Sequence, residues 1–351
     1  MPTATVLGVT VLVSVLDADD EHETPNWHPE HQQRLVAARR GLEDAERVGR
    51  AAFAPIEPRL ASLDELARVH SKAYLNTLQD FCAGGGGDID GDTFAAAGSW
   101  VTACRTAGTA LAAIEMLQAN TAVAAFVAGR PPGHHAGRDS AMGFCLLNTV
   151  AIAATTLAEQ GERVVIVDWD VHHGNGTQDI FWNDPRVLSV SLHQSPLYPF
   201  TGNADETGGP DALGLTINLP LPSRATGDVV RAALRGVIAD AVTAFAPTWV
   251  LVSAGYDGHR DDPIGGLAYS AGDFASFARI VSGYAPRTGR TLFVLEGGYD
   301  LRAVRNSVAA TLIAVGGGDD MCEPETVNGP GRSAVEAVEA IRSRLPQHGD
   351  S

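Results

Sequence analysis

The chain has 351 residues, 45% of them hydrophobic and 19% charged, with 42 acidic against 25 basic side chains and a formal net charge of −17. That length allows one large domain or two ordinary ones, and the acidity, with no basic run, argues against direct nucleic-acid binding. Four scattered cysteines (Cys82, Cys104, Cys145 and Cys322) show no CxxC spacing, so they form neither a disulfide framework nor a zinc knuckle and fit a reducing cytoplasm.

The N-terminus, "MPTATVLGVTVLVSVLDADDEHE", carries an apolar run that lacks a basic flank and passes straight into acids. It reads as a buried first strand over 10–17 rather than a leader. No apolar stretch reaches the ~18 residues of a membrane span, so no membrane association is expected. A helical pattern covers 29–48, and "GGGGD" at 84–88 reads as a flexible loop. Ala-rich amphipathic segments follow at 95–119, 148–160, 226–245, 270–284, 302–314 and 333–344. Between them lie short apolar, β-branched runs at 121–128, 163–170, 187–193, 215–221, 248–257 and 291–299. Buried strands alternating with helices predict one α/β domain, a mainly parallel sheet with helices on both faces. With no linker or internal repeat, that domain spans 1–346, and 347–351 is expected to be a disordered tail.

In open parallel sheets the binding crevice lies beyond the carboxyl ends of the strands. Five polar or Gly-rich segments sit there: "GRPPGHHAG" (129–137), "DWDVHHGNG" (168–176), "SLHQ" (191–194), "SAGYDGHRDDPIGG" (253–266) and "LEGGYD" (295–300). Chance accounts for one or two, not five. Asp170 and His172, two apart on an extended segment, leave on the same face. With Asp257 they make a one-nitrogen, two-carboxylate set that leaves a coordination position open, as catalytic zinc sites require; so oxygen-rich a set also suits Fe(II), Co(II) or Mn(II). A plain strand cap explains the pair in isolation, but not the rest of the cluster. His134 and His135 suit a general base and a general acid around a metal-activated water. Asp168 and Asn175 are candidates to orient their far nitrogens. Tyr299 follows a glycine pair that admits close backbone approach, and its phenol can donate to a developing oxyanion.

These segments resemble the zinc-dependent histone deacetylase family, which includes acetylpolyamine amidohydrolases and has the arginase-like fold. The likeness runs from "HPEHQQRL" (28–35) to "LEGGYD" and is carried by "RPPGHHA", "MGFCLLNTVAIAA" (142–154), "DWDVHHGNGTQDIFWNDPRVLSVSLHQ" (168–194) and "SAGYD". The Asn of "HHGNG" and the "HPE" start resemble the class II branch with its bacterial members. The resemblance implies an eight-stranded sheet, zinc on Asp170, His172 and Asp257, catalytic His134 and His135 with partners Asp168 and Asn175, and a carbonyl-polarising Tyr299. It implies a structural potassium on Asp168, Asp170, His172, Ser191 and Leu192. It places Phe144, beside Gly143, on one wall of an acyl-lysine channel and Tyr198 on the other, where Phe or Trp is usual.

Substrate is less determined. Polyamine-selective members of the family carry a glutamate in a "GDPE" run; here "DDPIGG" puts Ile264 at its place, which argues against that polyamine gate. Asp90 and Asp92, in "GGDIDGDTF", are both candidates to bind a substrate amide or ammonium. The expectation is a cytoplasmic deacetylase of Nε-acyl-lysine or a related acylated amine, with an acetylpolyamine amidohydrolase as the alternative and a homo-oligomer left open. More distant are a binuclear manganese ureohydrolase, for which Gly174 stands where a further ligand is needed, and a non-catalytic acyl-lysine binder, which would have lost Tyr299, a histidine or a zinc ligand.

Overall fold

Apolar strands buried on both faces cannot alternate with polar residues, and the sheet shows why these runs are continuous. The computed structural model describes residues 9–16, 21–119, 122–320 and 322–345. Its strands are β1 (Thr10–Val15), β2 (Ala52–Pro55), β3 (Gly86–Asp88), β4 (Phe94–Ala96), β5 (Ala124–Ala128), β6 (Val164–Asp168), β7 (Val187–Gln194), β8 (Thr216–Leu221), β9 (Trp249–Ala254) and β10 (Thr291–Leu295). Eight form one sheet in the order β2-β1-β5-β10-β9-β6-β7-β8, with every pairing parallel. Every residue of β5, β6, β9 and β10 is buried, as expected for a sheet covered on both sides.

The helices are α1 (Gln33–Val48), α2 (Leu63–Leu66), α3 (Lys72–Ala83), α4 (Ser99–Gln118), α5 (Thr149–Glu159), α6 (Asn175–Phe181), α7 (Gly227–Arg235), α8 (Val237–Phe245), α9 (Ala271–Ser282), α10 (Leu301–Val315) and α11 (Arg332–Arg342). Phe126, Val167, Val252 and Phe293 pack on one face against Leu35 of α1, Phe274 and Phe277 of α9 and Val304 of α10. Their strand neighbours Val127, Ile166, Leu251 and Val294 pack on the other against Ile114 of α4 and Val150 of α5. The period-two alternation of strand side chains divides one sheet between two cores.

Several elements depart from the sequence reading. The eighth strand, β2, is only four residues long and pairs at the sheet edge with β1. The "GGGGD" segment is not a plain loop, because Gly86–Asp88 pairs antiparallel with β4. The predicted helix at 226–245 is two helices, broken at Gly236, where φ −107° and ψ −114° leave the helical region. Residue 17, the end of the expected first strand, and the expected tail 347–351 lie outside the described residues.

The segment leading into α1 is anchored through charge. Glu30, Arg34 and Arg130 are each 0% exposed. Glu30 Oε1 accepts from Arg34 Nη1 at 2.9 Å and Arg130 Nε at 2.6 Å, and Oε2 accepts from Arg130 Nη2 at 2.8 Å. Arg34 also donates to the Gly298 carbonyl at 2.6 Å and to that of Glu296. One carboxylate thus ties α1 to the loop after β5 and the turn after β10. Burial alone would raise its pKa, but Arg130, His22 and Arg34 outweigh burial and hold it well below the usual range. Glu30→Gln leaves two buried guanidiniums short of counter-charge and is expected to cost ~3–5 kcal/mol. Because the folded pKa is depressed, this stability is present above the unfolded carboxyl value of about 4.3 and fades as pH falls below it. Denaturant unfolding at neutral and acid pH checks both points: the gap between wild type and variant should narrow in acid, and a neutral-pH gap under ~1 kcal/mol would contradict the assignment.

Candidate active site

β6, β9 and β10 are neighbours at the centre of the sheet, and the loops beyond their carboxyl ends, with that of β5, hold the polar cluster. Asp168 is the last residue of β6. Its Oδ1 accepts the Asp170 backbone N–H at 3.0 Å, and its Oδ2 lies 2.9 Å from His134 Nδ1. His135, whose ring centroid is 4.0 Å from that of His134, has Nδ1 2.7 Å from Asn175 Oδ1 at the start of α6. Both partners are acceptors, so both histidines carry a proton on Nδ1; His134 Nε2 lies 3.8 Å from Asp170 Oδ1. Burial lowers both pKa values. For His134, the carboxylates of Asp170 and Asp168 outweigh burial and raise it well above the usual imidazole value. For His135, adjacent His134 and His172 add to burial and hold it well below.

Asp170, His172 and Asp257 do converge, although not by strand alternation. β6 stops at Asp168, and the chain then turns so that the His172 N–H donates to Asp170 Oδ1 at 2.9 Å. His172 Nδ1 lies 3.1 Å from Asp170 Oδ1 and 3.3 Å from Asp257 Oδ2. The potential ligand atoms of the three residues all fall within 4.8 Å of one another. The other carboxylate oxygens are engaged, Asp170 Oδ2 by the Gly297 N–H and Asp257 Oδ1 by the Val171 N–H, both at 2.8 Å. Asp257 Oδ2 is buried without a hydrogen-bond partner. A Cβ on Gly297 would stand 2.0 Å from that same oxygen, so glycine is required for the backbone to close over the carboxylates. Three acceptors aimed at one point call for a cation, and the donor set fits a divalent metal. Burial and the charge of Asp170 push Asp257 up to about 7, and the two aspartates overcome burial to push His172 up to about 10.

A second cluster, His134, Cys145 and Glu296, is as close-set but differs chemically. Glu296 Oε2 accepts the Gly133 and His134 N–H groups at 2.6 and 3.1 Å, and Oε1 accepts the Ser253 hydroxyl at 3.1 Å. Its oxygens are already engaged, and burial pushes it up to about 7 and the Cys145 thiol well above its ordinary value.

A cavity of about 250 Å³ opens above the metal-ligand set, lined by Asp92, His135, Gly143, Phe144, His172, Leu197, Tyr198, Ile264 and Tyr299. His135, not His134, reaches it. Phe144 stands edge-on to Tyr299 with centroids 5.8 Å apart, and Tyr198 edge-on to His135 at 5.3 Å. Gly143 has φ +56°, and a Cβ there would be 2.4 Å from His135 Cδ2, so only glycine lets Phe144 turn into the wall. Burial keeps the Tyr299 phenol well above its usual pKa, hence an O–H donor at neutral pH. Arg34 lies over its ring at 4.9 Å.

The two acidic candidates separate. Asp92 lines the cavity, while Asp90 Oδ1 turns away to accept the Asp92 and Thr93 N–H groups at 3.0 and 2.6 Å. Asp168, the last residue of β6, and Ser191, inside β7, are register partners with Leu192 next in line, so these three expected potassium residues lie side by side on adjacent strands, and Asp170 and His172 follow in the loop after β6. Sequence reasoning missed Leu197, Glu30, Arg34, Glu296 and Asp262. Leu197 had a signal, its position beside Tyr198, and Glu30 with Arg34 had the i,i+4 spacing of an ion pair; the contacts that tie these charged groups to the site, Arg130, Gly298, Gly133 and Tyr299, are distant in sequence.

Among the described residues no helix is long and apolar enough to cross a membrane. Residues 28–315 match the histone deacetylase domain. A "probable deacetylase" of Archaeoglobus fulgidus is 38% identical over 316 residues, covering 87% of this chain and 86% of that one. A "histone deacetylase-like amidohydrolase" of Pseudomonas aeruginosa is 37% identical, covering 68% and 64%. The crystal structure of the HDA15 HD domain superposes with a TM-score of 0.86 at 32% identity, covering 95% of each chain. With the domain match spanning the site and the fold shared from end to end, the chain belongs to the histone deacetylase family and is a hydrolytic deacetylase.

Proposed function

We propose that this enzyme is zinc-dependent and removes acyl groups, acetyl above all, from Nε-acyl-lysine. The observation that carries the reading is the convergence of Asp170, His172 and Asp257 beneath an aromatic-walled cavity that also receives His135 and Tyr299. Asp170, His172 and Asp257 hold the metal; zinc suits this three-residue set, and Fe(II), Co(II) or Mn(II) accept the same ligands. A bound divalent ion supplies an acidified water and a polarising charge for the acyl oxygen.

The chain's own groups do the rest. His135 Nε2 takes a proton from the attacking water and returns it to the leaving amine, with Asn175 fixing its tautomer. His134, paired with the Asp168 carboxylate, is the more basic of the two and supports the developing negative charge. The Tyr299 hydroxyl donates to the acyl oxygen as charge grows there. Products are the free amine and a carboxylate. Phe144 and Tyr198 hold the uncharged stem of the acyl-lysine, and Asp92 accepts from a substrate N–H. Asp168, Asp170, His172, Ser191 and Leu192 hold a structural potassium.

Two classes of variant separate metal binding from catalysis. Asp170→Ala, His172→Ala and Asp257→Ala should lose metal and activity together. Tyr299→Phe should keep its metal while kcat falls ~10²–10³-fold, the usual cost of one oxyanion donor. Metal analysis beside steady-state kinetics decides the matter. A ligand variant with stoichiometric zinc, or Tyr299→Phe within a few-fold of wild type, would contradict the assignments.

Asp92 on the cavity wall favours a second reading, an acetylpolyamine amidohydrolase, since a carboxylate there can meet an ammonium. Ile264, which also lines the cavity, favours the first, because it gives a distal ammonium no partner. The expected result is a higher kcat/KM for an acetyl-lysine peptide than for an acetylspermidine-like substrate. Ile264→Glu should shift that ratio toward the polyamine by roughly 1–3 kcal/mol, the worth of a charged hydrogen bond. A wild-type ratio strongly favouring the polyamine would instead make Asp92 the selector.

A further inference from the structure

Asp262 follows Asp257 in the loop after β9, and the catalytic scheme above does not use it. It is 6% exposed. Its Oδ2 accepts two successive backbone N–H groups, Tyr299 at 2.7 Å and Asp300 at 3.2 Å, and its Oδ1 accepts the Ile264 N–H at 3.1 Å. The loop that carries it is pinned behind: the Asp262 N–H donates to the His259 carbonyl at 3.0 Å, and His259 Nε2 lies 3.1 Å from Glu323 Oε2. Tyr299, in contrast, follows Gly297 and Gly298, and Gly298 has φ +117°. That turn contributes no side chain of its own to fix the direction in which Tyr299 leaves it. The phenolic oxygen sits at the far end of a rigid ring, so a small rotation of the Tyr299 backbone is magnified at the hydroxyl.

We infer that Asp262 is a positioning residue for Tyr299, holding the backbone at the one orientation that sends the hydroxyl into the cavity. The inference rests on Tyr299 as the oxyanion donor. The carboxylate is suited to the task because all three of its contacts are N–H donors. An asparagine of the same shape would set its NH₂ group against at least one of them, so Asp262→Asn perturbs the hold with almost no change in volume. The simpler reading, that Asp262 only satisfies buried N–H groups at the start of α10, predicts lost stability but no special link to Tyr299.

A double-mutant cycle in kcat separates the two, using the metal-replete enzyme and an acetyl-lysine peptide. Asp262→Asn should lower kcat on the order of 10–100-fold, as misplacement of a reacting group does, with KM and metal content near wild type. In the Tyr299→Phe background the same change should have almost no further effect on kcat, since the group it positions is gone. Additive losses, or an Asp262→Asn kcat near wild type, would overturn the proposal while leaving Tyr299 as donor intact. A Tyr299→Phe enzyme at the wild-type rate would remove the donor itself, and the proposal with it. Asp262→Ser, which keeps one short acceptor, is read in the same way should the Asn variant not fold. Failure of both to fold would assign Asp262 a purely structural role.

Discussion

Concentrated negative charge in a buried place is the constraint around which this molecule is organised. Asp168, Asp170, Asp257, Asp262 and Glu296 are all buried at the carboxyl edge of one sheet, none more than 6% exposed. Isolated buried carboxylates are prohibitively costly, so each has a partner. Backbone N–H groups serve Asp262 and Glu296, an imidazole serves Asp168, and His172 stands between Asp170 and Asp257. Asp257 retains an oxygen, Oδ2, that no donor reaches, and it faces His172 and Asp170 where a cation fits.

The parallel sheet makes such a gathering possible. β5, β10, β9 and β6 lie side by side, and each sends its following loop over the same edge. Residues more than a hundred apart in sequence, such as Asp170 and Gly297, become hydrogen-bonding neighbours. Glycine at 297 lets the backbone close on the carboxylates, and glycine at 143 lets it close on His135. The Glu30–Arg34–Arg130 network then fastens α1 to the turn that precedes Tyr299, so the helical layer and the site share one set of charged contacts.

Much of this was legible in the sequence, for physical reasons. Strands buried on both faces are written as unbroken apolar runs, and a polar tip after each run marks the sheet edge. The chemically distinctive residues Asp170, His172, His134, His135 and Tyr299 therefore announce themselves locally. β2 did not, because a four-residue edge strand needs little apolar sequence. The split between α7 and α8 was hidden within a continuous amphipathic pattern. Asp262, Glu296 and Arg34 were illegible as supports because a carboxylate or guanidinium looks the same in sequence whether it faces water or a buried backbone. The choice between Asp90 and Asp92 also waited on geometry, since either could turn outward until the hairpin of β3 and β4 fixed their register.

The central claim is that one catalytic metal, held by Asp170, His172 and Asp257, makes this chain a deacetylase. Chelator-stripped protein titrated with zinc, while hydrolysis of an acetyl-lysine peptide is followed, tests it most directly. Turnover should vanish after stripping, then rise in proportion to added zinc and level at one ion per chain. Turnover that survives stripping, or that levels only at two ions per chain, would contradict it.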